Sequence, residues 1–254
     1  GDALNAAREA RDGRVDLIIA AGGDGTINEV ANGLAGSSIP LGIIPLGTVN
    51  VFALETGIPM DPLKACDVLL NGTPTRISLG KVNDHHFLLM AGIGFDAYVV
   101  YGLDLRLKRL SGRLSYIISG IGRIFRYSGQ PLEIELDNGE RLEGYGAVVG
   151  NGKYYGGRMS ITPFADLERG DLDICIFKGK GAVNILRYTW GVLRKRHLSY
   201  PDVLYRTAGG MKVTSSGNCY IQADGDIVGS LPAVFTVVKE GLTVILPKTG
   251  APKP

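Results

Sequence analysis

Hydrophobic and polar positions change their period within residues 17–34, LIIAAGGDGTINEVANGL. The stretch opens with a continuous apolar run of strand length, which is typical of a buried parallel strand. A glycine-rich turn follows. Beyond it, apolar residues recur at helical spacing: Ile27, Val30, Ala31 and Leu34. Thr26 and Glu29 have the spacing of a capping box, so we expect the helix to begin at Thr26.

Further helices and strands are predicted in alternation through the first part of the chain. Residues 2–12 predict a helix ahead of the first strand, and residues 40–45, PLGIIP, predict a second parallel strand bounded by prolines. Two short helices are expected at 53–57 and 62–70. Strands that alternate with helices indicate an α/β unit. The turns that follow its strands lie at one edge of the sheet, where ligands collect.

The period shortens to two beyond residue 75, which indicates half-buried strands. The alternating segments are 76–82, 87–90, 132–136, 142–149, 171–177, 211–215, 220–223 and 233–238. Many short strands after an α/β start predict a second, antiparallel β-sandwich domain. We therefore divide the chain into an α/β domain at 1–76 and a sandwich domain at 77–239. Residues 242–246 could return to the first domain, which a tail at 240–250 would then complete.

Composition narrows the class of protein. The chain has 254 residues, of which 45% are hydrophobic and 20% charged, as in globular proteins with a substantial core. A net charge of +2 gives no general attraction to nucleic acid, so no nucleic-acid partner is expected. The cysteines Cys66, Cys175 and Cys219 are widely separated, which favours reduced thiols in a cytoplasmic protein. No apolar run reaches the roughly 18 residues of a membrane-spanning helix.

The turn at 22–26, GGDGT, has the chemistry of an anion site. Its glycines let the backbone approach a ligand closely, and the N–H groups of the following helix favour negative charge. Asp24 would repel a polyphosphate unless a divalent cation lies between them, so the motif favours a phosphate site that uses a metal. The alternative is an ordinary tight turn between a strand and a helix.

Two motifs together resemble a known family. The stretch GGDGTINEVANGL at 22–34, followed by PLGTVN at 45–50, is similar to the diacylglycerol kinase catalytic family, the lipid kinases that include sphingosine and ceramide kinases. GGDGT alone is less specific, because NAD kinases and phosphofructokinases carry similar versions.

The resemblance covers nearly the whole chain and implies an α/β plus all-β fold. A doubly wound α/β nucleotide-binding domain, like that of phosphofructokinase or NAD kinase, would precede an antiparallel β-sandwich that binds the lipid. Family members also have an earlier strand with an Asn-Pro turn at the nucleotide. No segment here matches it, so we expect that the N-terminal part of the native protein is absent from this chain.

The resemblance implies ATP and Mg²⁺ as cofactors and assigns roles to particular residues. The nucleotide would be held by Gly22, Gly23, Asp24, Gly25, Thr26, Glu29 and Thr48. Asp24 would also position Mg²⁺ through water. Asp226 stands where the family has the glutamate of an Asp-Gly-Glu turn, the general base, and Asp224 would orient that turn or bind metal-bound water. On the bare sequence, residues 224–226 are instead typical of a hairpin turn.

Three positions depart from the family pattern. Val51 stands where the family has aspartate, which removes a carboxylate from the cleft. Asp226 is one methylene shorter than the family's glutamate. Arg169 lies in the loop at 163–173, where some bacterial members hold a structural magnesium partly through an aspartate. Because the positively charged Arg169 replaces an aspartate that would bind the metal, we expect that metal site to be empty or rebuilt.

Two segments, 101–127 and 182–198, combine basic residues with apolar ones at helical spacing. Such helices suit an anionic membrane surface, although a helix that packs between domains can show the same pattern. A lipid substrate favours the membrane, so we expect a cytoplasmic protein that associates with membranes peripherally. In the loop at 151–158, NGKYYGGR, Lys153 and Arg158 could face phosphate or lie on a plain surface.

We therefore expect an ATP-dependent lipid kinase that transfers the γ-phosphoryl group of ATP to the hydroxyl of a diacylglycerol-like lipid. Two alternatives stay open. The first is a kinase of a soluble substrate such as NAD, which GGDGT alone permits. The second is a non-catalytic member that binds nucleotide or lipid, which the three departures permit. An edge strand could also pair two copies of the chain as a homodimer.

Overall fold

The computed structural model describes residues 1–13, 15–95, 97 and 129–248. The basic segment predicted at 101–127 lies outside the described residues. In the first part of the chain, helices and strands alternate as the pattern predicts. They are α1 (Asp2–Arg11), β1 (Ile18–Gly22), α2 (Asp24–Leu34), β2 (Leu41–Pro45), α3 (Val51–Thr56) and α4 (Pro62–Asn71).

The remainder of the described chain consists mainly of short strands. They are β3 (Thr73–Val82), β4 (His85–Phe87), β5 (Met90–Ile93), β6 (Leu132–Leu136), β7 (Arg141–Gly144), β8 (Gly146–Gly150), β9 (Tyr154–Tyr155), β10 (Met159–Ser160), β11 (Leu172–Phe177), β12 (Val203–Ala208), β13 (Gly210–Ser215), β14 (Tyr220–Ala223), β15 (Asp226–Ser230) and β16 (Ala233–Leu246). Helix α5 (Ala182–Leu193) and a 3₁₀ turn (His197–Ser199) lie between β11 and β12.

The strands form two large sheets. The first has eight strands in the order β1-β2-β16-β13-β6-β7, with β3 beside β16 and β4 beside β3. Within it, β2 lies parallel to β1 and to the end of β16, whereas the other pairs are antiparallel. The second sheet has six antiparallel strands in the order β12-β11-β8-β5-β14-β15. The predicted fold class, an α/β part followed by an antiparallel sandwich, is confirmed.

Strand β16 connects the two parts of the molecule. Phe235 in its first half lies in the core between the two sheets, whereas Leu242 and Val244 in its second half lie in the α/β core. Val244 pairs with Leu41 of β2 in parallel. Residues 242–246 therefore do reach the first part of the chain, as the second half of one 14-residue strand rather than as a separate element.

Strand β1 lies at a sheet edge, so the prediction of a buried strand is wrong. Among the described strands its partner is β2 alone, and of its residues only Ala20 is buried. Ile19 is 48% exposed. A continuous apolar run indicates a buried strand when neighbouring strands and helices cover both faces, and here that cover is incomplete.

Two stretches predicted as single strands are divided between the sheets. The stretch at 87–90 ends β4 and begins β5, and the stretch at 142–149 supplies both β7 and β8. β4 and β7 lie in the eight-stranded sheet, whereas β5 and β8 lie in the six-stranded one. Alternation does not reveal such a crossing, because both halves of each stretch contribute apolar residues to the same core.

The three histidines are partly or fully buried. His85 and His86 are half-buried in β4. Burial lowers the pKa of both side chains, although the negative charge of Asp226 opposes that shift at His85. His197 is buried, and its Nε2 lies 2.9 Å from the carbonyl oxygen of Ile161.

Because β16 contributes to both cores, a cavity at Leu242 should destabilise the whole molecule. Leu242 is fully buried, and we expect Leu242→Ala to lower the free energy of unfolding by about 2–5 kcal/mol. Urea unfolding followed by circular dichroism and by the fluorescence of Trp190 should shift as one transition. Leu63→Ala, at a side chain 78% exposed on α4, should change the free energy by less than about 0.5 kcal/mol. Separate transitions for the two probes would contradict a shared core strand.

Candidate active site

The GGDGT turn joins β1 to α2 and leaves helix amides available for a ligand. Gly23 is the N-cap residue of α2 and Asp24 is its first residue, so the helix begins two residues before the predicted start. The amide of Ile27 donates to the carbonyl of Gly23 as the helix begins. The amides of residues 24–26 precede this bond and have no partner within the helix. Amides in this arrangement bind anions at helix N-termini.

Glu29 does not form the predicted capping box. Its Oε2 accepts hydrogen bonds from the amides of Ala3 and Leu4, so it caps the start of α1. Helix α2 has no side-chain cap, because Gly23 precedes it. Thr26 packs on Gly22 instead, since a Cβ added at Gly22 would lie 2.7 Å from the Thr26 side chain. The structure thus places Glu29 at the junction of two helices.

The PLGTVN turn lies directly against the GGDGT turn. A Cβ added at Gly47 would lie 2.6 Å from the Cα of Gly23, so this close approach requires glycine. Asn50 closes the turn: its Oδ1 accepts from the amide of Gly47 and its Nδ2 donates to the Gly47 carbonyl, both at 2.9 Å. Thr48 is exposed at the tip of the same turn. The two glycine turns therefore lie side by side. We call the region between these turns and the Asp-Gly turn at 223–226 the cleft.

Asp24 ties the first turn to the helix that follows the second. Its Oδ1 accepts from the amide of Phe52 in the first turn of α3, at 3.2 Å. Val51, which stands where the family has aspartate, is buried at the start of α3. Asp24 itself is half-buried, so its carboxylate is still reached by solvent.

Residues 223–226 form a tight turn between β14 and β15. Asp224 and Gly225 have φ values of 47° and 94°, as in the type I′ turn that Asp-Gly favours. Ala223 and Asp226 pair across the hairpin. The hairpin interpretation and the family motif therefore describe the same residues. The turn fixes the position of Asp226 relative to Asp224.

The carboxylate of Asp224 accepts four hydrogen bonds. Its Oδ1 accepts from the amides of Leu89 and Met90 at 3.0 Å, and its Oδ2 accepts from the amide of Leu88 and from Nδ2 of Asn28 at 2.6 Å. Burial raises the pKa of Asp224, and these donors oppose the shift. Four donors match the four lone-pair sites of an ionised carboxylate. This arrangement favours the orienting role for Asp224 over the binding of metal-bound water.

Helix α2 connects the segment of Asp24 with the Asp-Gly turn. Asn28 follows Asp24 by four residues, which is about 6 Å along α2 and on the same helix face. Asn28 contacts Asp224, and Asp226 begins the strand after that turn. Asp226 is exposed, and its charge acts on the neighbouring His85. One contact of α2 thus ties the helix that carries Asp24 to the hairpin that carries Asp226.

A second set of contacts joins α3 to the glycine-rich loop at 151–158. Oε2 of Glu55 accepts from the amides of Lys153 and Tyr154, at 3.0 and 2.9 Å. A Cβ added at Gly157 would lie 3.8 Å from Val49, so the glycine-rich loop covers the PLGTVN turn. Sequence reasoning missed Glu55 and Asn28, because each holds a segment distant in sequence and neither belongs to a motif that names its partner.

In the loop at 163–173, the side chain of Arg169 is surrounded by acidic side chains and a main-chain carbonyl. Its guanidinium donates to the carboxylates of Asp171 and Asp173 and to the carbonyl of Phe164. Asp173 is fully buried and also accepts from two side-chain hydroxyls. A side-chain cation thus lies among these oxygens.

The cleft fits a magnesium ion that arrives with a nucleotide rather than one held by protein alone. In the described part of the chain, no group of three or more carboxylate, histidine or cysteine side chains could hold a metal ion. Kinase sites usually hold Mg²⁺ through one or two carboxylates together with phosphate oxygens and waters. Asp24 supplies such a carboxylate at the edge of the anion site.

An apolar cavity of about 230 Å³ lies between α5 and the six-stranded sheet. The side chains that line it are mainly aliphatic or aromatic and include Ile93, Tyr145, Val148, Met159, Phe177, Ile185, Tyr188 and Val192. Ile93 lies two residues along β5 from Ala91, which pairs with Ala223 beside the Asp-Gly turn. One lining residue of the cavity thus lies on the strand that pairs with the Asp-Gly hairpin.

Known proteins match both parts of the chain. Residues 1–82 match the family profile described as "Diacylglycerol kinase catalytic domain", and residues 90–246 match "YegS C-terminal NAD kinase beta sandwich-like domain". A diacylglycerol kinase of Bacillus subtilis (strain 168) is 36% identical, with 99% of this chain and 84% of that protein covered. A diacylglycerol kinase of Staphylococcus haemolyticus is 34% identical, with 98% and 76% covered. The crystal structure of a diacylglycerol kinase from Bacillus anthracis str. Sterne has a TM-score of 0.79 at 28% identity, with 97% of this chain and 83% of that chain covered.

The fold and the cleft define a two-part enzyme whose α/β part presents helix amides and whose β-rich part presents an acid. The chain belongs to the diacylglycerol kinase catalytic family, a family of lipid kinases. The resemblance drawn from GGDGT and PLGTVN is confirmed.

Arg169→Met should destabilise the protein, because Asp173 would keep a buried charge without its cationic partner. The Arg169 side chain is 35% exposed, so we expect a moderate loss of about 1–3 kcal/mol in the free energy of unfolding by urea. Arg141→Met breaks an exposed pair with Glu135 and should change the free energy by less than about 1 kcal/mol. Equal effects of the two substitutions would contradict the structural role of Arg169.

Proposed function

We propose that the protein transfers the γ-phosphoryl group of ATP to the hydroxyl of a diacylglycerol-like lipid at an anionic membrane surface. The observation that carries this proposal is the contact between α2, whose first amides have no partner within the helix, and the hairpin that carries Asp226. This contact is the hydrogen bond from Asn28 to Asp224, at 2.6 Å. Relatives named diacylglycerol kinase support a lipid alcohol as the acceptor.

In this proposal the two glycine turns bind the ATP phosphates. The amides of residues 24–26 and the hydroxyl of Thr48 contact phosphate oxygens. Asp24 would hold, through water, the Mg²⁺ that accompanies the nucleotide, and such an ion would offset charge on the transferred phosphoryl group. Asp226 accepts the proton of the lipid hydroxyl as that oxygen bonds to the γ-phosphorus and ADP leaves.

The apolar cavity favours a lipid over a soluble substrate. Each methylene buried from water contributes about 0.8 kcal/mol, so an acyl chain gains binding free energy in such a cavity. Its lining residue Ile93 lies two residues along β5 from Ala91, which pairs with Ala223 ahead of the Asp-Gly turn. A lipid could therefore place its chain in the cavity and its hydroxyl in the cleft, whereas NAD or a sugar phosphate has no chain to bury there.

The outer face of α5 supports membrane association. Its exposed apolar side chains are Val183, Leu186, Trp190 and Leu193. Residues 194–196, Arg-Lys-Arg, follow the helix and are exposed, and the Arg194 guanidinium lies 4.4 Å from the centre of the Trp190 ring. Within the described residues, no helix is long and apolar enough to cross a membrane. A short helix with this pattern suits the interface of an anionic bilayer.

Lipid phosphorylation should depend on Asp226. With labelled ATP, Mg²⁺ and vesicles that contain a long-chain 1,2-diacylglycerol, the wild type should form labelled lipid phosphate. Asp226→Asn keeps the size of the side chain but removes the base, so kcat should fall by about 10²–10⁴-fold while ATP affinity is kept. Asp67→Asn, at an exposed acid on α4, is the matched control and should leave kcat unchanged.

A wild type that labels no lipid would refute this function. Faster labelling of NAD than of lipid would favour the soluble-substrate kinase. Nucleotide binding without transfer to either substrate would favour the non-catalytic alternative.

Binding to phosphatidylglycerol vesicles should depend on the basic residues that end α5. Neutralising Arg194, Lys195 and Arg196 with glutamine removes about 1 kcal/mol each, so vesicle affinity in a sedimentation assay should fall roughly 100-fold. Binding by the wild type should also weaken as salt increases. Glutamine at the exposed Arg8, Lys64 and Lys212 removes the same charge from other surfaces and is the control. Equal losses for both triple variants would argue against α5 as the membrane contact.

A further inference from the structure

Two asparagines of α2 connect the nucleotide helix to the β-rich part of the molecule. Asn28 and Asn32 are four residues apart and therefore share a helix face. Nδ2 of Asn32 donates to Oδ1 of Asn28 at 3.1 Å, and Nδ2 of Asn28 donates to Oδ2 of Asp224 at 2.6 Å. Asn28 is buried, so this bond is shielded from competing water. A chain of hydrogen bonds thus runs from α2 to the Asp-Gly turn.

Asn32 holds the segment that leads to the same turn. Its Oδ1 accepts from the amide of His86 and its Nδ2 donates to the carbonyl of His86, both at 3.0 Å. The side-chain amide therefore binds both main-chain groups of one residue, as a paired strand does. The amide of Leu88, two residues further, donates to Asp224. The segment between β4 and β5 is held by α2 at one end and by the hairpin at the other.

Main-chain contacts within the hairpin link Asp226 to Asp224. The amide of Asp224 donates to the carbonyl of Met90 at 2.9 Å, so side chain and backbone both fix the turn to β5. Asp226 pairs with Ala223 across the turn. A shift of α2 against the hairpin would therefore change the distance between the helix amides and the Asp226 carboxylate.

We propose that Asn28 is a positioning residue, whose hydrogen bond to Asp224 sets the gap between the phosphate-binding amides of α2 and the carboxylate of Asp226. The proposal rests on the proposed function and adds a residue that acts through Asp224 rather than on the substrates. An error of about 1 Å in the placement of reacting groups can lower a rate about 100-fold. Loss of this bond should therefore lower kcat more than it lowers nucleotide affinity.

The test begins with Asn28→Asp, which keeps the side-chain size but places a second carboxylate against Asp224. In the assay with diacylglycerol vesicles, ATP and Mg²⁺, kcat should fall about 10- to 100-fold, while the Kd for ATP changes less than about threefold. Adding Asp224→Asn places an amide opposite a carboxylate with the partners exchanged and keeps Oδ1 for the amides of Leu89 and Met90, although the amide of Leu88 loses its acceptor. The double variant should therefore recover part of the lost kcat. Asn5→Ala, at an exposed asparagine on α1, is the control and should leave kcat unchanged.

Hydrogen exchange provides a readout that does not require turnover. The amides of Leu88, Leu89 and Met90 donate to Asp224, so they should exchange faster in the Asn28→Asp variant. In the double variant the amides of Leu89 and Met90 should exchange more slowly again, whereas the amide of Leu88, which loses its acceptor, should not. The amide of Phe52, which donates to Asp24, should be unchanged. Asn28→Ser removes the carboxamide without adding charge and gives the same comparison if the aspartate variant does not fold.

The outcomes separate this inference from the proposed function. A wild type that phosphorylates no lipid refutes the function, and hydrogen exchange then decides alone whether Asn28 positions the hairpin. Unchanged kcat in an active Asn28 variant overturns the positioning role, as does unchanged exchange at residues 88–90. Loss of ATP binding in parallel with kcat also overturns it, because Asn28 would then support the nucleotide site itself.

Discussion

The pairing of β3 with β16 is the constraint on which the rest of the structure depends. The two strands pair from Val82 opposite Phe235 to Thr73 opposite Leu246, with a register shift between Val238 and Leu242. At the Val82–Phe235 end the strands contribute to the core between the sheets, and from Leu79 and Val238 onward they contribute to the α/β core. Rotation of one part against the other would break main-chain hydrogen bonds. Groups 196 residues apart in sequence, such as Asn28 and Asp224, are therefore kept in contact.

Within this frame, three acids near the cleft accept hydrogen bonds from main-chain amides. Asp24 binds an amide of α3, Glu55 binds two amides of the glycine-rich loop, and Asp224 binds three amides at the start of β5. Hydrogen bonds to a carboxylate are stronger than neutral ones, so a few such contacts can fix loops that have little secondary structure of their own. Asp226 differs, because it is exposed and accepts no hydrogen bond from the described residues. An accessible carboxylate suits the general-base role that we propose for Asp226.

The sequence predicted features whose causes are local. Residues within each turn determine the conformation of the glycine turn and of the Asp-Gly hairpin. Their motifs can therefore be recognised without knowledge of the rest of the fold. The exposure of Ile19 depends instead on which strands flank β1, and the role of Glu29 depends on α1 packing beside α2. Asn28 is the clearest example of a residue whose contact could not be predicted from the sequence. It follows GGDGT as one more polar position on α2, and no local pattern identifies an aspartate far along the chain as its partner.

Helix α5 carries two different apolar faces, and their arrangement bears on how a lipid would be handled. Ile185, Tyr188 and Val192 line the cavity, whereas Leu186 and Trp190 are exposed on the outer side. If the outer face lies in the membrane interface, as we propose, the cavity lies directly beneath the lipid surface. An acyl chain could then enter the cavity with little exposure to water while its hydroxyl stays near the Asp-Gly turn. Because each buried methylene contributes about 0.8 kcal/mol, the cavity rather than the cleft would set the preference for chain length.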